Sequence, residues 1–490
     1  MTVLEQLLQH LKQTSALGQA AGILSWDQET MMPTKGAAQR AEQSGALAAA
    51  LHARETDPRI GDWIEKIDLE ALSPINRCNV EQAARGYARA TKVPARLAEE
   101  LATAASSSQV TWAGARASKS FSAFAPALRR MIELKREEAA CIAGSGGNLY
   151  DALLDEFEPG AKLAELDPML KSLRPGLTEL REQIAEKPAP AILTGKFDKD
   201  AQIDLVTKTA LGLGYDLEAG RIDLSVHPFS SGTAGDARIT TRVDPDNPLD
   251  CLYSTIHEVG HALYSQGAPD PFMPYAAYCS MGVHESQSRF WENQICRSQA
   301  YVDLLYPEMQ EAFGDLGLGS SRALYAAVNR VHSGFIRTEA DEIHYNLHIL
   351  MRFDLEVDLV MGRLEVDDLE EAWNARFEQD FGARVPDASL GVLQDVHWSV
   401  GLFGYFPTYS IGNIYAACLD NAMRRAMPER DAVVRSGETQ PLLAWLRERI
   451  HSKGRLLPAP QLIEAATGEP PSTGPLMAYL RAKYTDLYDL

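Results

Sequence analysis

Hydrophobic positions along most of the chain recur three and four residues apart, which is the period of an amphipathic α-helix. Leu4, Leu7, Leu8 and Leu11 show this spacing near the N-terminus. Residues 1–140 are also rich in Ala, Leu, Glu, Gln and Arg, which favour helices. The pattern therefore predicts a mainly α-helical protein whose first part consists of several long helices.

A different pattern appears in residues 222–243. Short β-branched runs flank a cluster of Gly, Ser and Thr, which predicts two strands joined by a turn. This small sheet directly precedes residues 251–267, and a strand edge there can hold an extended peptide by main-chain hydrogen bonds. His227, Asp236 and Arg238 lie in this unit, although each is also an ordinary polar residue for a loop or strand.

Composition narrows the possible partners. The 490 residues contain 47 Lys and Arg against 67 Asp and Glu, and a formal charge of −20 argues against nucleic acid or an anionic membrane as a partner. The six cysteines form no CxxC pair, so we expect free thiols. The N-terminus lacks the features of a signal peptide and no run of about 20 apolar residues occurs, so we expect a cytoplasmic protein without a membrane span.

Residues 251–267 carry the strongest chemical signal, because His257 and His261 lie four residues apart and Glu258 follows the first histidine. On a helix, residues four apart share one face, so both imidazoles can bind one zinc ion. Glu258 lies about 100° round the helix from His257, which suits a general base that takes a proton from a water activated by the metal.

The third ligand is expected on a second helix, within residues 281–293. A carboxylate commonly completes a catalytic zinc site that has two histidines. Glu285 and Glu292 are seven residues apart, close to two helical turns, so periodicity does not choose between them. Gln287, Ser288 and Arg289 are polar neighbours that can orient the carboxylate, although a solvated helix face has a similar composition.

Three further groups of polar residues carry weaker signals. His344 and His348 repeat the four-residue spacing without a glutamate after the first histidine, so polar surface or packing is favoured over a second metal site. Arg337 lies among acidic residues, which favours a structural ion pair. The remaining candidates are hydrogen-bond donors that can stabilise an oxyanion or simply pack in an aromatic core: His397, Tyr405 and Tyr409.

Several separated motifs, taken together, resemble the carboxypeptidase Taq family of metallocarboxypeptidases. They are HPF, DARIT, HEVGH, HESQSRFWEN, IRTEAD and GVLQDVHW, in that order. LSWDQETMMP, YDALLDEFEPG and the C-terminal segment from ATGEPP to YLRAKYTDLY are similar to that family as well. The resemblance therefore extends over nearly the whole chain.

The resemblance implies a single catalytic domain over residues 1–490, saddle-like and largely helical, with a deep groove and a small sheet beside the metal helix. Residues from 1 to about 140 would form one wall of the groove. It also implies a homodimer that removes C-terminal residues from peptides with broad specificity. By motif, the ligands would be His257, His261 and Glu285, with Glu258 as the base.

A carboxypeptidase must recognise a free C-terminal carboxylate, which a planar guanidinium binds by paired hydrogen bonds. Arg337 is the first candidate for this role and Arg238 is the second. We assign His227, Asp236 and Tyr405 to substrate binding, and His397 and Tyr409 to stabilisation of the oxyanion. Zinc is the expected metal, one ion per chain, with cobalt or manganese as substitutes. The alternative function is an oligopeptidase or endopeptidase with the same metal core.

Overall fold

The computed structural model describes residues 1–490, and helices dominate it throughout. The α-helices are α1 (Val3–Thr30), α2 (Ala37–Glu55), α3 (Pro58–Glu65), α4 (Pro74–Lys92), α5 (Ala95–Ala117), α6 (Phe121–Ala143), α7 (Leu149–Phe157), α8 (Leu163–Lys171), α9 (Leu173–Ala185), α10 (Lys199–Leu213), α11 (Pro248–Gln266), α12 (Met281–Arg289), α13 (Gln299–Phe313), α14 (Ser321–Val328), α15 (Glu342–Val360), α16 (Leu369–Phe381), α17 (Pro407–Ala426), α18 (Arg430–Ser436), α19 (Gln440–Arg449), α20 (Ala459–Thr467) and α21 (Gly474–Tyr488). A π-helical stretch, Phe290–Cys296, continues from α12. The predicted helical fold class is confirmed.

The sheet contains three strands, so the prediction of two strands is wrong in number. They are β1 (Ile222–Leu224), β2 (Ser230–Thr233) and β3 (Asp236–Thr241), with β3 in the centre. β1 runs parallel to β3, and β2 runs antiparallel to it. The additional strand is β2, which consists of the Ser, Gly and Thr cluster that was predicted to be the turn; the two β-branched runs form β1 and β3.

Buried apolar side chains form one large core and one small one. The large core extends from α5 to α21 and includes the apolar residues of α11. The small core joins Leu7 of α1, Ile60 of α3, and Val80 and Ala83 of α4. Helices α1, α3 and α4 are therefore held together by their own apolar contacts, beside the main body.

A groove of ≈ 880 Å³ lies between these first helices and the sheet. Residues of α1, α2 and α4 line one side, and β2, β3 and residues 264–278 line the other. At one end of the groove, His284 of α12 also lines the wall. It therefore connects the N-terminal helices with the helix that carries the predicted third ligand.

The six cysteines are all free thiols, five of them buried. None of the helices combines the length and apolar character that crossing a lipid bilayer requires.

Candidate active site

The two histidines of α11 lie one turn apart, and a hydrogen bond orients each ring. Nδ1 of His257 is 2.9 Å from Oε2 of Glu292, and Nδ1 of His261 is 3.1 Å from the carbonyl oxygen of His284. Each acceptor favours a proton on Nδ1, which leaves Nε2 with its lone pair available to a metal. Both imidazoles are therefore set in the tautomer that metal binding requires.

Glu285 of α12 completes the cluster. Its Oε2 lies 3.7 Å from Nε2 of His257 and 3.4 Å from Nε2 of His261, while its Oε1 accepts from Arg289 Nε at 2.7 Å. Burial opposes ionisation of Glu285, but Arg289 and His257 outweigh it and hold its pKa well below the ordinary value. Ligand atoms of the three residues lie within 4.8 Å of one another, so two imidazole nitrogens and one carboxylate oxygen fit a divalent cation such as zinc.

Two glycines allow the helices of the site to approach closely. A Cβ at Gly260, inside the HEVGH motif, would lie 2.5 Å from Cα of Ser288, so α11 and α12 touch backbone to backbone there. A Cβ at Gly412 of α17 would lie 2.4 Å from Cγ of Glu285. Glu285 reaches the histidines because neither glycine carries a side chain that would keep α12 at a distance.

Glu258 is the buried acid beside the cluster. It is 8 % exposed and makes no hydrogen bond to another residue. Burial raises its pKa, although the neighbouring His257 and His261 act in the opposite direction. A carboxylate with a raised pKa and no fixed partner is suited to accept and return a proton.

Glu292 lies on the opposite side of His257 from Glu285. The seven-residue spacing would place the two on one helix face, but the helix changes to π-helical hydrogen bonding from Phe290 onward. The wider turn rotates Glu292 away from the Nε2 atoms of the two histidines and towards Nδ1 of His257. Burial raises the pKa of Glu292, but Arg289 and the hydrogen bond with His257 outweigh burial and lower this pKa to about 2.

Arg337 is buried at the centre of a polar cluster. Its Nε donates to Asp395 Oδ1 at 2.9 Å and its Nη1 to the Tyr345 hydroxyl at 3.2 Å, while its backbone N–H donates to Gln394. Asp395 also accepts from Arg352 Nε at 2.6 Å. The ion pair expected for Arg337 is therefore present, with a partner 58 residues away along the chain.

The predicted oxyanion donors lie next to this cluster. His397 Nε2 is 3.2 Å from the Tyr409 hydroxyl, and the ring of Tyr409 lies under the Arg337 guanidinium at 4.9 Å. Tyr405 packs edge-on against Tyr409, with ring centroids 5.4 Å apart. Burial, with help from Arg337, lowers the pKa of His397 to about 3, so His397 is neutral near pH 7. The structure thus brings together Arg337, His397, Tyr405 and Tyr409.

Arg238 occupies a different environment, in the wall of the groove. Asp236 holds it by two hydrogen bonds of 2.7 and 2.8 Å, and the ring of Trp26 on α1 covers its guanidinium at 4.4 Å. Arg238 shares no contact with the cluster around Arg337. His227 is exposed between β1 and β2, and no hydrogen bond involves its ring.

The pair His344 and His348 does not form a second metal cluster. His344 Nδ1 is 2.7 Å from Asp341 Oδ2, and Arg352 donates to His348 Nδ1 at 3.1 Å. Both rings are buried against Phe381. Packing, the reading favoured from the sequence, is what the structure shows.

Sequence reasoning gave no role to Asp395, Tyr345 or Trp26. Asp395 lies inside the GVLQDVHW motif, and that motif could have identified it as a site residue. Tyr345 directly follows His344, in a segment that drew attention only through its two histidines. Trp26 lies in the LSWDQETMMP segment, which indicated the family and no contact. Its contact with Arg238 depends on the position of α1 across the groove, which no local pattern reports.

Known metallopeptidases are similar to this chain over nearly its whole length. The model of the carboxypeptidase Taq (M32) metallopeptidase family matches residues 6–484. Thermostable carboxypeptidase 1 of Thermus thermophilus is 41% identical, over 99% of this chain and 98% of its own length, and carboxypeptidase 1 of Bacillus subtilis is 35% identical, over 98% and 97%.

Solved structures show the same relationship. An M32 carboxypeptidase from Deinococcus radiodurans superposes with a TM-score of 0.96 at 36% identity and covers 100% of both chains. Metallocarboxypeptidase 1 of Trypanosoma cruzi gives a TM-score of 0.96 at 33% identity, over 98% of this chain and 99% of its own. Fold and site define the class, which is that of the metallocarboxypeptidases. Within that class, the chain belongs to the carboxypeptidase Taq (M32) family.

Proposed function

We propose that this metallocarboxypeptidase hydrolyses the last peptide bond of peptides with a free C-terminus and releases single amino acids with broad specificity. Zinc, one ion per chain, would be held by His257, His261 and Glu285. The observation that carries the proposal is the convergence of these three residues within 4.8 Å, with the buried acid Glu258 beside them.

The donor set supports zinc. Two neutral imidazole nitrogens and one carboxylate leave a position open for substrate, as in hydrolytic zinc sites. When bound, the ion supplies Lewis-acid polarisation of a carbonyl and lowers the pKa of a water molecule. Cobalt and manganese accept the same ligands and are expected to substitute.

Glu258 would act as the general base and then as the general acid. Its carboxylate takes a proton from the attacking water and transfers it to the amine that leaves. Because the side chain is buried and has no hydrogen-bonded partner, no competing group has to be displaced before it receives a proton. Burial also brings its pKa closer to neutrality, where both steps remain favourable.

His397 and Tyr409 would stabilise the oxyanion that develops on the scissile carbonyl. Their hydrogen bond, 3.2 Å from His397 Nε2 to the Tyr409 hydroxyl, holds both groups in place before substrate arrives. A neutral His397 with its proton on Nε2 can donate this hydrogen bond to the Tyr409 oxygen. The Tyr409 O–H then remains free to donate to the oxyanion. Tyr405, packed against both rings, would contact the substrate beside them.

Arg337 is the preferred anchor for the substrate carboxylate. Asp395 and Tyr345 fix two of its three nitrogens, and Nη2 has no hydrogen-bond partner and remains available. Arg238 is the second candidate, since Asp236 holds Nε and Nη2 and leaves Nη1. Arg337 is favoured because it contacts Tyr409, so one bound residue can touch both groups.

Asp236 would serve the peptide further along the groove, and His227 would serve it from the exposed segment between β1 and β2. Asp236 keeps the Arg238 guanidinium in the groove wall, and β2 is the edge strand that lines the groove. We also propose that the enzyme is a cytoplasmic homodimer. Six free thiols are typical of a reducing compartment, and light scattering after gel filtration would measure the oligomeric state.

The decisive experiment compares a peptide with a free C-terminus and the same peptide amidated, each incubated with zinc-loaded enzyme. Mass spectrometry should show stepwise loss of single residues from the free peptide and no cleavage of the amide. A chelator should stop the reaction, and added zinc, cobalt or manganese should restore it. Internal cleavage of the amidated peptide would instead establish an endopeptidase.

A further inference from the structure

A second cavity, of ≈ 440 Å³, lies beside the metal site and is separate from the groove. The end of α12, the π-helical stretch, residues 327–332 and the start of α15 form its walls. Its polar lining includes the side chains of Arg289, Glu292, Arg297, Asn329, Arg330 and Tyr345.

The cavity touches the catalytic machinery at three points. Arg289 donates to the ligand Glu285 at 2.7 Å, and Glu292 is 2.9 Å from Nδ1 of the ligand His257. Tyr345 accepts from Arg337, the preferred carboxylate anchor, at 3.2 Å. Tyr345 therefore links the wall of this cavity to the proposed anchor of the substrate carboxylate.

Its size suits one amino-acid side chain together with water. Pockets for small ligands measure roughly 300–1,000 Å³, and this one lies at the lower end of that range. The space therefore accepts side chains of different sizes, so that charge and hydrogen bonding, more than volume, will determine which residues bind well.

Most charged groups in the wall already have a partner within the protein. Glu292 pairs with Arg289 at 3.1 Å and with Arg297 at 3.3 Å, Glu342 pairs with Lys483, Asp246 pairs with Lys196, and Asp341 Oδ2 lies 2.7 Å from His344 Nδ1. Glu339 lies at the exposed rim. These groups give the cavity no strong net preference for either sign of charge.

Among the lining groups that are not exposed, Arg330 is the charged side chain without a partner. Its guanidinium forms no ion pair and no hydrogen bond, and its Nε is buried without a partner. The neighbouring Asn329, 3 % exposed, already uses its side-chain N–H group to donate to the carbonyl oxygens of Arg297 and Tyr325. A buried donor without an acceptor is costly, and an acceptor supplied by a ligand relieves that cost.

We propose that this cavity receives the side chain of the C-terminal residue of the substrate, and that Arg330 favours a carboxylate there, so that aspartate and glutamate are bound better than their amides. The inference rests on the proposed carboxypeptidase activity. A guanidinium with no ionic partner gains more from a carboxylate than from a neutral amide of the same shape.

The test uses zinc-loaded full-length enzyme and peptides that differ only in the last residue, Glu against Gln and Asp against Asn. In Arg330→Gln, the ratio of kcat/KM for Glu to that for Gln should fall about tenfold or more. Arg330→Lys, which keeps the charge, should retain most of the ratio. The exposed Arg447, which has no ion pair, gives the matched control Arg447→Gln with the same change in net charge and an unchanged ratio.

An unchanged Glu-to-Gln ratio in Arg330→Gln would overturn the proposal, as would an equal fall in Arg447→Gln. Cleavage of an Ala-terminated peptide by the parent enzyme separates the two hypotheses. If that peptide loses its last residue while the ratio is unaffected by Arg330→Gln, only the pocket assignment fails. If no peptide with a free C-terminus is shortened, the proposed function fails with it.

Discussion

Glu292 holds His257 through the ring nitrogen that faces away from the ligand cluster, with 2.9 Å between Glu292 Oε2 and His257 Nδ1. Glu292 in turn accepts from Arg289, which also donates to Glu285. Arg289 thus connects the carboxylate that orients His257 with the carboxylate of Glu285, and His257 and Glu285 are both proposed metal ligands. Partners of this kind set the tautomer of the imidazole and increase its basicity.

Glu292→Gln should weaken zinc binding by about 10- to 100-fold, because the neutral amide orients His257 less strongly. Competition with a chromophoric chelator measures the affinity, and excess zinc should restore turnover. Glu464→Gln, at an exposed position on α20, is the control. Equal zinc affinity in both variants would show that Glu292 has no part in the site.

Glu258→Gln should keep the metal and lose about 10²- to 10⁴-fold in kcat, because the amide cannot take a proton from water. Zinc content by atomic absorption and release of C-terminal amino acids are measured on the same preparation. Near-parental turnover with normal zinc content would remove Glu258 from the mechanism.

Gly260→Ala should separate α11 from α12, because the added Cβ would lie 2.5 Å from Cα of Ser288 and 2.7 Å from the Gln287 carbonyl oxygen. We expect about 1–3 kcal/mol of destabilisation together with weaker zinc binding. The matched control is Gly114→Ala on α5, where a Cβ meets nothing within 4 Å and stability should rise slightly. Denaturant titration of both variants, with zinc competition, tests the prediction.

Arg337→Lys and Arg238→Lys should distinguish the two candidate anchors. Lysine keeps the positive charge near Asp395 or Asp236, but it lacks the planar guanidinium that can form two parallel hydrogen bonds with a carboxylate. If Arg337 binds the substrate carboxylate, Arg337→Lys should raise KM at least tenfold for peptides with a free C-terminus, and Arg238→Lys should have the smaller effect. The opposite order would transfer the role to Arg238. Circular dichroism checks that both variants remain folded.

Glu158 should make the stability of the protein depend on pH. It is buried where it accepts from Gly282 N–H at the start of α12, and burial raises its pKa to about 7 from an ordinary 4.5. Between these values the folded state binds more protons than the unfolded state, so this contribution to stability falls as pH rises from about 4.5 to 7.

The shift of Glu158 corresponds to about 3 kcal/mol over that window. In Glu158→Gln this slope should disappear, so the difference in unfolding free energy between parent and variant should change with pH. Denaturant unfolding at saturating zinc at several pH values measures it. Parallel curves for the two proteins would show that Glu158 does not titrate in this range.

The sequence by itself determined the helical fold class and the core of the metal site, because both depend on local spacing. Hydrophobic positions three and four apart specify helices, and His257, Glu258 and His261 are placed by the geometry of a single helix turn. The motifs also indicated the family, since they keep their order over nearly the whole chain.

Only the tertiary structure decided which partners these residues have. Periodicity left Glu285 and Glu292 equivalent, and the π-helical stretch separates them by rotating Glu292 to the far side of His257. The pairing of Arg337 with Asp395 and the cover of Trp26 over Arg238 join residues far apart in the chain. Such contacts follow from how whole helices pack, and periodicity along one segment carries no information about them.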